Sequence, residues 1–228
     1  MHFHLITLFP NSFSSYLGES ILKRAIEDRK IKVSFYNPRD FVSNKWKRVD
    51  RSPYGGGPGL VIEAEPVIKA IEYAIKKITN YELRIKKTRN LKLIIRNYKI
   101  IFLSPSGKQF DNLYAKNKAK RYKNLIIVCG RYEGIDARVK KVFKMEEISV
   151  GPFVLTGGEL PAMIIVDVIS RQVPGVLGNL DSLEERRVAS SDVYTRPEVL
   201  TYKGRKYRVP KVLLSGHRVK IEEWKKKR

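Results

Sequence analysis

The stretch from residue 125 to residue 136, LIIVCGRYEGID, decides which fold the sequence predicts. Residues 125–129 form an unbroken apolar run of the length typical of a buried strand. Gly130 then ends the strand, and the glycines of GRYEG favour a sharp turn. The spacing of Val139 and Val142 predicts a helix after this loop, with both side chains inside. A buried strand, a glycine-rich loop and a helix in this order indicate an α/β protein.

The rest of the chain repeats this alternation. Strands are predicted at residues 2–9, 31–36 and 100–103, and a helix at residues 65–78. Another helix should follow the Pro10-Asn11 break, with a buried stripe formed by Phe13, Leu17, Ile21 and Ala25. Such an order predicts a largely parallel sheet whose ligands gather at the carboxyl ends of its strands.

Three glycine-containing loops lie at or near the ends of predicted strands. They are LSPSG at 103–107, CGRYEGID at 129–136 and SVGPFVLTGGE at 149–159. Because carboxyl ends of parallel strands share one edge of a sheet, these loops should form one pocket for a nucleoside-like cofactor. A fourth loop, PYGGGPG at 53–59, has more glycines than a turn needs, which indicates close approach of a ligand to the backbone.

The composition favours nucleic acid as a partner. Basic residues number 46 and acidic residues 23, which gives a net charge of +23 and an isoelectric point near 10.1. This field concentrates polyanions, and an anionic membrane surface is the alternative. No apolar run approaches the roughly 18 to 20 residues that span a bilayer, which excludes an integral membrane protein. Because nucleic acid is the favoured partner, we expect no membrane partner. The start, MHFHLITLFP, lacks a secretory-signal pattern, and we expect a cytoplasmic protein.

The excess charge is concentrated in two segments. Residues 76–99 hold nine basic residues against one acidic residue, and residues 203–228 hold eleven against two. Each segment also has tyrosine among its charges, and we interpret both segments as surfaces that contact phosphates. The single cysteine, Cys129, is expected to be a buried structural thiol, and three scattered histidines provide no zinc site.

The distribution of predicted strands, loops and apolar residues divides the chain into domains. Residues 1–174 carry the strands and loops of the α/β domain, and residues 175–191 lack periodicity, which is typical of a linker. Residues 192–228 have enough apolar side chains for a small helical C-terminal domain, but not for a large core.

Nine motifs in chain order resemble the bacterial tRNA (guanine-N1)-methyltransferases, the TrmD family, nearly end to end. They are ITLFP, NPRDF, VDRSPYGGGPG, LSPSG, CGRYEGID, EISVGPFVLTGGELPAM, SRQVPGVLGN, YTRP and VPKVLLSGH…IEEW. The resemblance implies the SPOUT fold, with a deep trefoil knot in the amino-terminal domain, and a homodimer. It implies transfer of a methyl group from S-adenosyl-L-methionine to N1 of the guanosine at tRNA position 37, 3′ of the anticodon. It leaves open whether Mg²⁺ assists.

The resemblance also assigns residues to ligands. In this family the cofactor lies in the knot's loops, which here supply Leu103, Ser104, Pro105, Gly130, Tyr132, Glu133, Gly134, Ser149, Val150, Gly151, Pro152, Phe153, Val154, Leu155, Gly157 and Gly158. The residues that match positions near the tRNA are Asp50, Tyr54, Gly55, Gly56, Gly57, Gly59, Arg196 and His217. Residues 192–228 would then be the tRNA-binding domain.

The reaction requires removal of the N1 proton, and the family uses an aspartate together with an arginine. Arg171 matches the arginine. The aspartate's counted position holds Arg186, which cannot act as a base. We expect Asp181 to replace it, with Glu184, Glu185 and Asp192 as further candidates. A catalytically silent RNA-binding homologue that lost its base is the alternative function.

A second departure is Pro152, where the family commonly has aspartate. Proline provides neither a carboxylate nor an amide donor. The segment 76–99 is also longer than is usual in the family, and we interpret the extra length as additional tRNA contact surface.

Overall fold

The computed structural model describes residues 1–86, 97–178 and 192–226. They divide between two compact units, Met1–Leu177 and Gly178–Arg228. The predictions for Asp181, Glu184, Glu185 and Arg186, and for the middle of the basic segment 76–99, lie outside the described residues.

A parallel sheet of five strands organises the first unit. Its order is β2-β1-β6-β5-β7, and every neighbouring pair is parallel. The strands are β1 (His2–Ile6), β2 (Lys32–Tyr36), β5 (Tyr98–Gln109), β6 (Asn124–Val128) and β7 (Glu146–Ser149). All five residues of β6 are buried, because helices cover both faces of the sheet. The predicted α/β class with a mostly parallel sheet is confirmed.

Helices on the two faces form two apolar cores. One core contains Phe3, Leu5, Leu125 and Ile127, and its helices are α1 (Ser14–Leu17), α2 (Ser20–Glu27), α4 (Asn112–Arg121) and α6 (Glu159–Arg171). The other contains Ile6, Ile126 and Val128, and its helices are α3 (Ala64–Lys86) and α5 (Arg138–Val142). A two-stranded ribbon, β3 (Asp50–Arg51) and β4 (Val61–Ile62), lies before α3.

Several local predictions need correction. The first strand ends at Ile6 because the Thr7 hydroxyl accepts a hydrogen bond from the Phe9 amide and the chain turns into Pro10–Phe13. The helix predicted behind it breaks at Gly18, so Leu22 is buried and Ile21 is exposed. Val142, predicted to be inside, is also exposed.

Strand β5 continues past its predicted end at residue 103 and ends at Gln109. A bulge interrupts it, and its pairing with β7 resumes after the bulge. Leu103 and Lys108 both pair with Ile148, so the four residues between them loop out of the ladder. Gly107 closes this loop against β7: a Cβ atom there would lie 2.5 Å from the Ile148 amide nitrogen. The bulge is what turns the LSPSG motif into a loop within a strand.

The second unit contains a hairpin that the sequence did not predict. Strands β8 (Val199–Tyr202) and β9 (Arg205–Arg208) pair antiparallel, and the short helices α7 (Lys211–Leu214) and α8 (Arg218–Lys226) follow. Between residues 192 and 226 no side chain is buried, consistent with the expected absence of a large core. Of the helices in the described ranges, none carries an apolar stretch long enough to cross a membrane.

Glu146 on the edge strand β7 is a candidate stabilising residue. Its carboxylate accepts hydrogen bonds from Tyr114 Oη at 2.6 Å, Lys118 Nζ at 2.7 Å and Lys99 Nζ at 2.9 Å. Partial burial opposes ionisation, but the hydrogen bonds outweigh it and lower the pKa of Glu146 to about 2.

We expect Glu146→Gln to lower the free energy of unfolding by about 1 to 2 kcal/mol at pH 7, after allowance for partial exposure. Because the folded pKa lies below the unfolded value near 4.5, this stabilisation is complete above that value. It should be lost as the pH falls through about 2. Urea unfolding of both proteins at pH 7 and pH 3 measures the difference, and an equal gap at the two pH values would contradict the assignment.

Candidate active site

One pocket of about 270 Å³ lies at the carboxyl ends of β6 and β7, beside the bulge of β5. All three predicted loops line it, so the structure brings together segments that are far apart in sequence. The predicted residues in its wall are Leu103, Ser104, Pro105, Gly130, Tyr132, Glu133, Gly134, Ser149, Val150, Gly151, Phe153, Val154, Leu155, Gly157 and Gly158. Pro152 does not line the pocket: it is exposed, beyond a turn in which the Ser149 hydroxyl donates to the Gly151 carbonyl.

Close backbone contact holds two of these loops together. The Gly158 amide donates to the Gly130 carbonyl at 2.8 Å. A Cβ atom on Gly158 would lie 2.7 Å from Cys129 Cα and 2.9 Å from the Gly130 nitrogen, and neither backbone atom can move independently. Gly158, the second glycine of TGGE, is therefore needed for the pocket's shape.

The pocket also contains a charged side chain that the sequence reasoning missed. Arg131 lines the wall, and its Nε donates to Glu159 Oε2 at 2.8 Å. Glu159 is only 3% exposed, and its other oxygen accepts from the Thr7 hydroxyl at 2.7 Å. The Arg131 guanidinium lies 4.7 Å from the centre of the Phe9 ring. These contacts join the first strand, the CGRYEGID loop and the start of α6.

Cys129 lies directly behind this group and is buried. Burial raises the pKa of its thiol well above the ordinary value, and the nearby Glu159 carboxylate acts in the same direction. A thiol held in the protonated form is a poor nucleophile. The predicted burial of Cys129 is confirmed.

The PYGGGPG loop also contacts the pocket wall, at Glu133 and Gly134. Its final glycine, Gly59, has a φ of +84°, and a Cβ atom there would lie 2.6 Å from the Glu133 carboxylate. The Glu133 amide donates to the Leu60 carbonyl, and the Ile62 amide donates to the Gly134 carbonyl, both at 3.0 Å. One end of the loop is thus bound to the pocket wall, while Tyr54 is fully exposed.

The glycines in the middle of this loop meet no neighbour. Gly55, Gly56 and Gly57 all have positive φ, and a Cβ atom on any of them would lie in open space. Asp50, at the base of the ribbon, is 8% exposed. The sequence predicted that a ligand approaches this backbone, and the geometry leaves the room for it.

Arg171 is separated from the pocket. It is the last residue of α6, whose first turn forms part of the pocket wall through Pro161. Ten residues of helix at 1.5 Å each place its Cα roughly 15 Å farther along the axis. That distance exceeds the reach of an arginine side chain.

The remaining predicted residues belong to the second unit or are not described by the structure. Arg196 and His217 are exposed residues of the second unit, and Asp181 is not among the described residues. Across ranges 1–86, 97–178 and 192–226, no three His, Cys, Asp or Glu residues are grouped in a way that could hold a metal ion.

The comparisons with known proteins agree with the motifs. A family model described as tRNA (Guanine-1)-methyltransferase TrmD matches residues 1–228. Proteins named tRNA (guanine-N(1)-)-methyltransferase from Clostridioides difficile, Desulforamulus reducens and Campylobacter jejuni subsp. doylei are 43%, 41% and 40% identical to the chain. The alignments cover 99%, 100% and 99% of this chain and 91%, 83% and 90% of those proteins. The resemblance is confirmed, and the chain belongs to the tRNA (guanine-1)-methyltransferase TrmD family.

Proposed function

We propose that the protein transfers a methyl group from S-adenosyl-L-methionine to N1 of guanosine 37 in tRNA. The observation that carries the proposal is the convergence of three loops on one pocket, in a chain that belongs to this family along its whole length. The net charge of +23 suits a tRNA substrate. The alternative of a silent RNA-binding homologue gains no support, since the relatives are named as methyltransferases.

The pocket's residues suit this cofactor. When bound, S-adenosylmethionine supplies a methyl group on a positively charged sulfur. The wall combines apolar side chains, such as Leu103, Ile148 and Leu155, with backbone groups of the glycine loops. Apolar walls with a few fixed polar groups are typical of nucleoside sites. Glu133 is the carboxylate in the wall that could face a positive charge, since the Glu159 carboxylate is engaged by Thr7 and Arg131.

The chain's own residues must manage the charge on the guanine. A carboxylate would take the N1 proton, and the Arg171 guanidinium would stabilise the negative charge that develops on O6. Because Arg171 lies roughly 15 Å from the pocket of its own protomer, we propose a homodimer in which it serves the partner's pocket. The site is incomplete without the second copy.

Three further features belong to the same proposal. The first unit is proposed to be knotted as in SPOUT proteins, and support comes from the family model that matches the whole chain. The second unit is proposed to bind tRNA through exposed residues such as Arg196 and His217. A tRNA substrate further leads us to propose a cytoplasmic location.

Asp181 is proposed as the base. We expect Asp181→Ala to lower single-turnover methyl transfer by about 10² to 10⁴, the usual contribution of a general base, while the Kd for S-adenosylmethionine stays unchanged. Glu222→Ala is the matched control, because it removes an exposed carboxylate of the second unit that is not a candidate for the base. Turnover of Asp181→Ala close to that of the unmodified protein would remove Asp181 from the reaction.

The identity of the product tests the proposed reaction. After incubation with tRNA and S-adenosylmethionine, nuclease digestion and mass spectrometry should yield 1-methylguanosine. Methylation at another atom of guanine, or of another base, would refute the assignment to N1.

A further inference from the structure

A second large cavity lies at the opposite edge of the sheet. It is a groove of about 1030 Å³ at the amino ends of β1, β2 and β6, next to α3. Strand β6 spans roughly 15 Å over its five residues, so the groove at its amino end is well separated from the cofactor pocket at its carboxyl end. We call it the amino-edge groove and define it by its five cations, Arg29, Lys32, Lys77, Arg84 and Lys123.

One wall of the groove is a face of α3. Lys77, Tyr81 and Arg84 stand at helical spacings of four and three residues, so they share one face. All three are exposed, and Tyr81 retains 64% of its accessible surface. Two cations that flank an exposed aromatic ring are suited to a phosphate backbone with a base or ribose against the ring.

The facing wall comes from the loops before the strands. Arg29 and Lys32 flank the entry to β2, and Lys123 immediately precedes β6. The amino group of Met1 lies with them and donates to the Lys30 carbonyl at 3.0 Å. Both walls therefore present positive charge to the same space.

The cations of the groove are not neutralised by nearby acids. Within the part of the chain that the structure describes, none of the five forms an ion pair within 4 Å. The carboxylate that lines the groove, Glu82, is only 5% exposed and accepts a hydrogen bond from Asn97 at 2.6 Å. Burial leaves little of this carboxylate in contact with the solvent in the groove.

The floor is polar and uncharged near neutral pH. His4 contacts Tyr36 Oη at 2.9 Å and Asn124 Oδ1 at 3.2 Å, and His2 contacts Ser34 Oγ at 2.9 Å. Burial, with nearby positive charge, lowers the pKa of His2 to about 3 and that of His4 to about 4. The groove's positive charge therefore comes from lysine and arginine.

We propose that the amino-edge groove binds the phosphodiester backbone of RNA, as a contact site separate from the methylation site. This proposal rests on the proposed function for the identity of the RNA, a tRNA. Phosphate contacts fix position and carry no sequence information, so the groove should contribute to affinity without selecting the target base.

Two double variants test the two walls separately. They are Lys77→Gln with Arg84→Gln for the helix wall, and Lys32→Gln with Lys123→Gln for the strand wall. Each should weaken tRNA binding about tenfold at 0.15 M salt and reduce the slope of log K against log salt by about 2. The Kd for S-adenosylmethionine and the melting temperature should not change. The loss should be equal for a tRNA whose target guanosine is replaced.

The matched control is Lys116→Gln with Lys144→Gln, which removes the same charge from exposed positions outside the groove. A slope and an affinity no lower than those of this control, for either wall, would overturn the proposal. If the proposed function alone fails, tRNA binding still depends on both walls, but no methyl group is transferred. The two failures are therefore distinguishable.

Discussion

Arg171→Ala is expected to lower the single-turnover rate of methyl transfer by about 10² to 10³, the usual cost of losing one group that stabilises developing negative charge. The Kd for S-adenosylmethionine should stay unchanged, because the proposed role of Arg171 is to stabilise charge on O6 of the guanine and not to hold the cofactor. Arg171→Lys should recover part of the rate, since it retains the charge and loses the planar geometry of the guanidinium. Rapid-quench measurements with labelled cofactor give the rates, and calorimetry gives the Kd.

A mixed dimer distinguishes action on the partner's pocket from action within one protomer. One subunit carries Arg171→Ala and its partner carries the pocket substitution Gly158→Ala, with different affinity tags to isolate the pair. If Arg171 serves the partner's pocket, one of the two sites is complete, and about half of the wild-type activity should return. A mixed dimer as inactive as its two parents would show that Arg171 works in its own protomer.

Gly158→Ala is expected to weaken S-adenosylmethionine binding by about a hundredfold and to lower the free energy of unfolding by about 1 to 3 kcal/mol. The added methyl group would lie 2.7 Å from Cys129 Cα, so two pocket loops must move apart. Backbone strain is not the cause, because Gly158 has φ −81° and ψ −6°, which alanine also adopts.

The matched control is Gly178→Ala, since a Cβ atom there has no neighbour within 4 Å. Cofactor affinity measured by calorimetry and stability measured by urea unfolding should both match those of the unmodified protein. Equal effects of the two substitutions would mean that the close contact at Gly158 does not shape the pocket.

The sequence was sufficient to predict the pocket, because the prediction depended on local signals and one general rule. Each loop follows or interrupts a strand, and parallel strands place their carboxyl ends on a common edge. Pro152 is the exception among the predicted residues: its backbone turns outward after Gly151, which no periodicity reveals.

Contacts between distant segments could not be predicted in the same way. Thr7 donates a hydrogen bond to Glu159 although the two residues lie 152 positions apart in the sequence. Arg131 joins them only in the folded chain, where its guanidinium donates to the same carboxylate. The sequence does offer one signal for Arg131: it is a basic residue in a loop that follows a buried strand. The error at Ile21 has a local cause: the break at Gly18 shifts the helical phase, so the next residue, Leu22, is buried instead.

The most direct test of the proposed function is single-turnover transfer of labelled methyl from S-adenosylmethionine to two tRNA transcripts. One carries guanosine at position 37, and the other differs only by adenosine there. We predict incorporation into the first transcript alone, at one methyl group per tRNA. Equal incorporation into both transcripts, or none into either while cofactor and tRNA still bind, would contradict the proposed function.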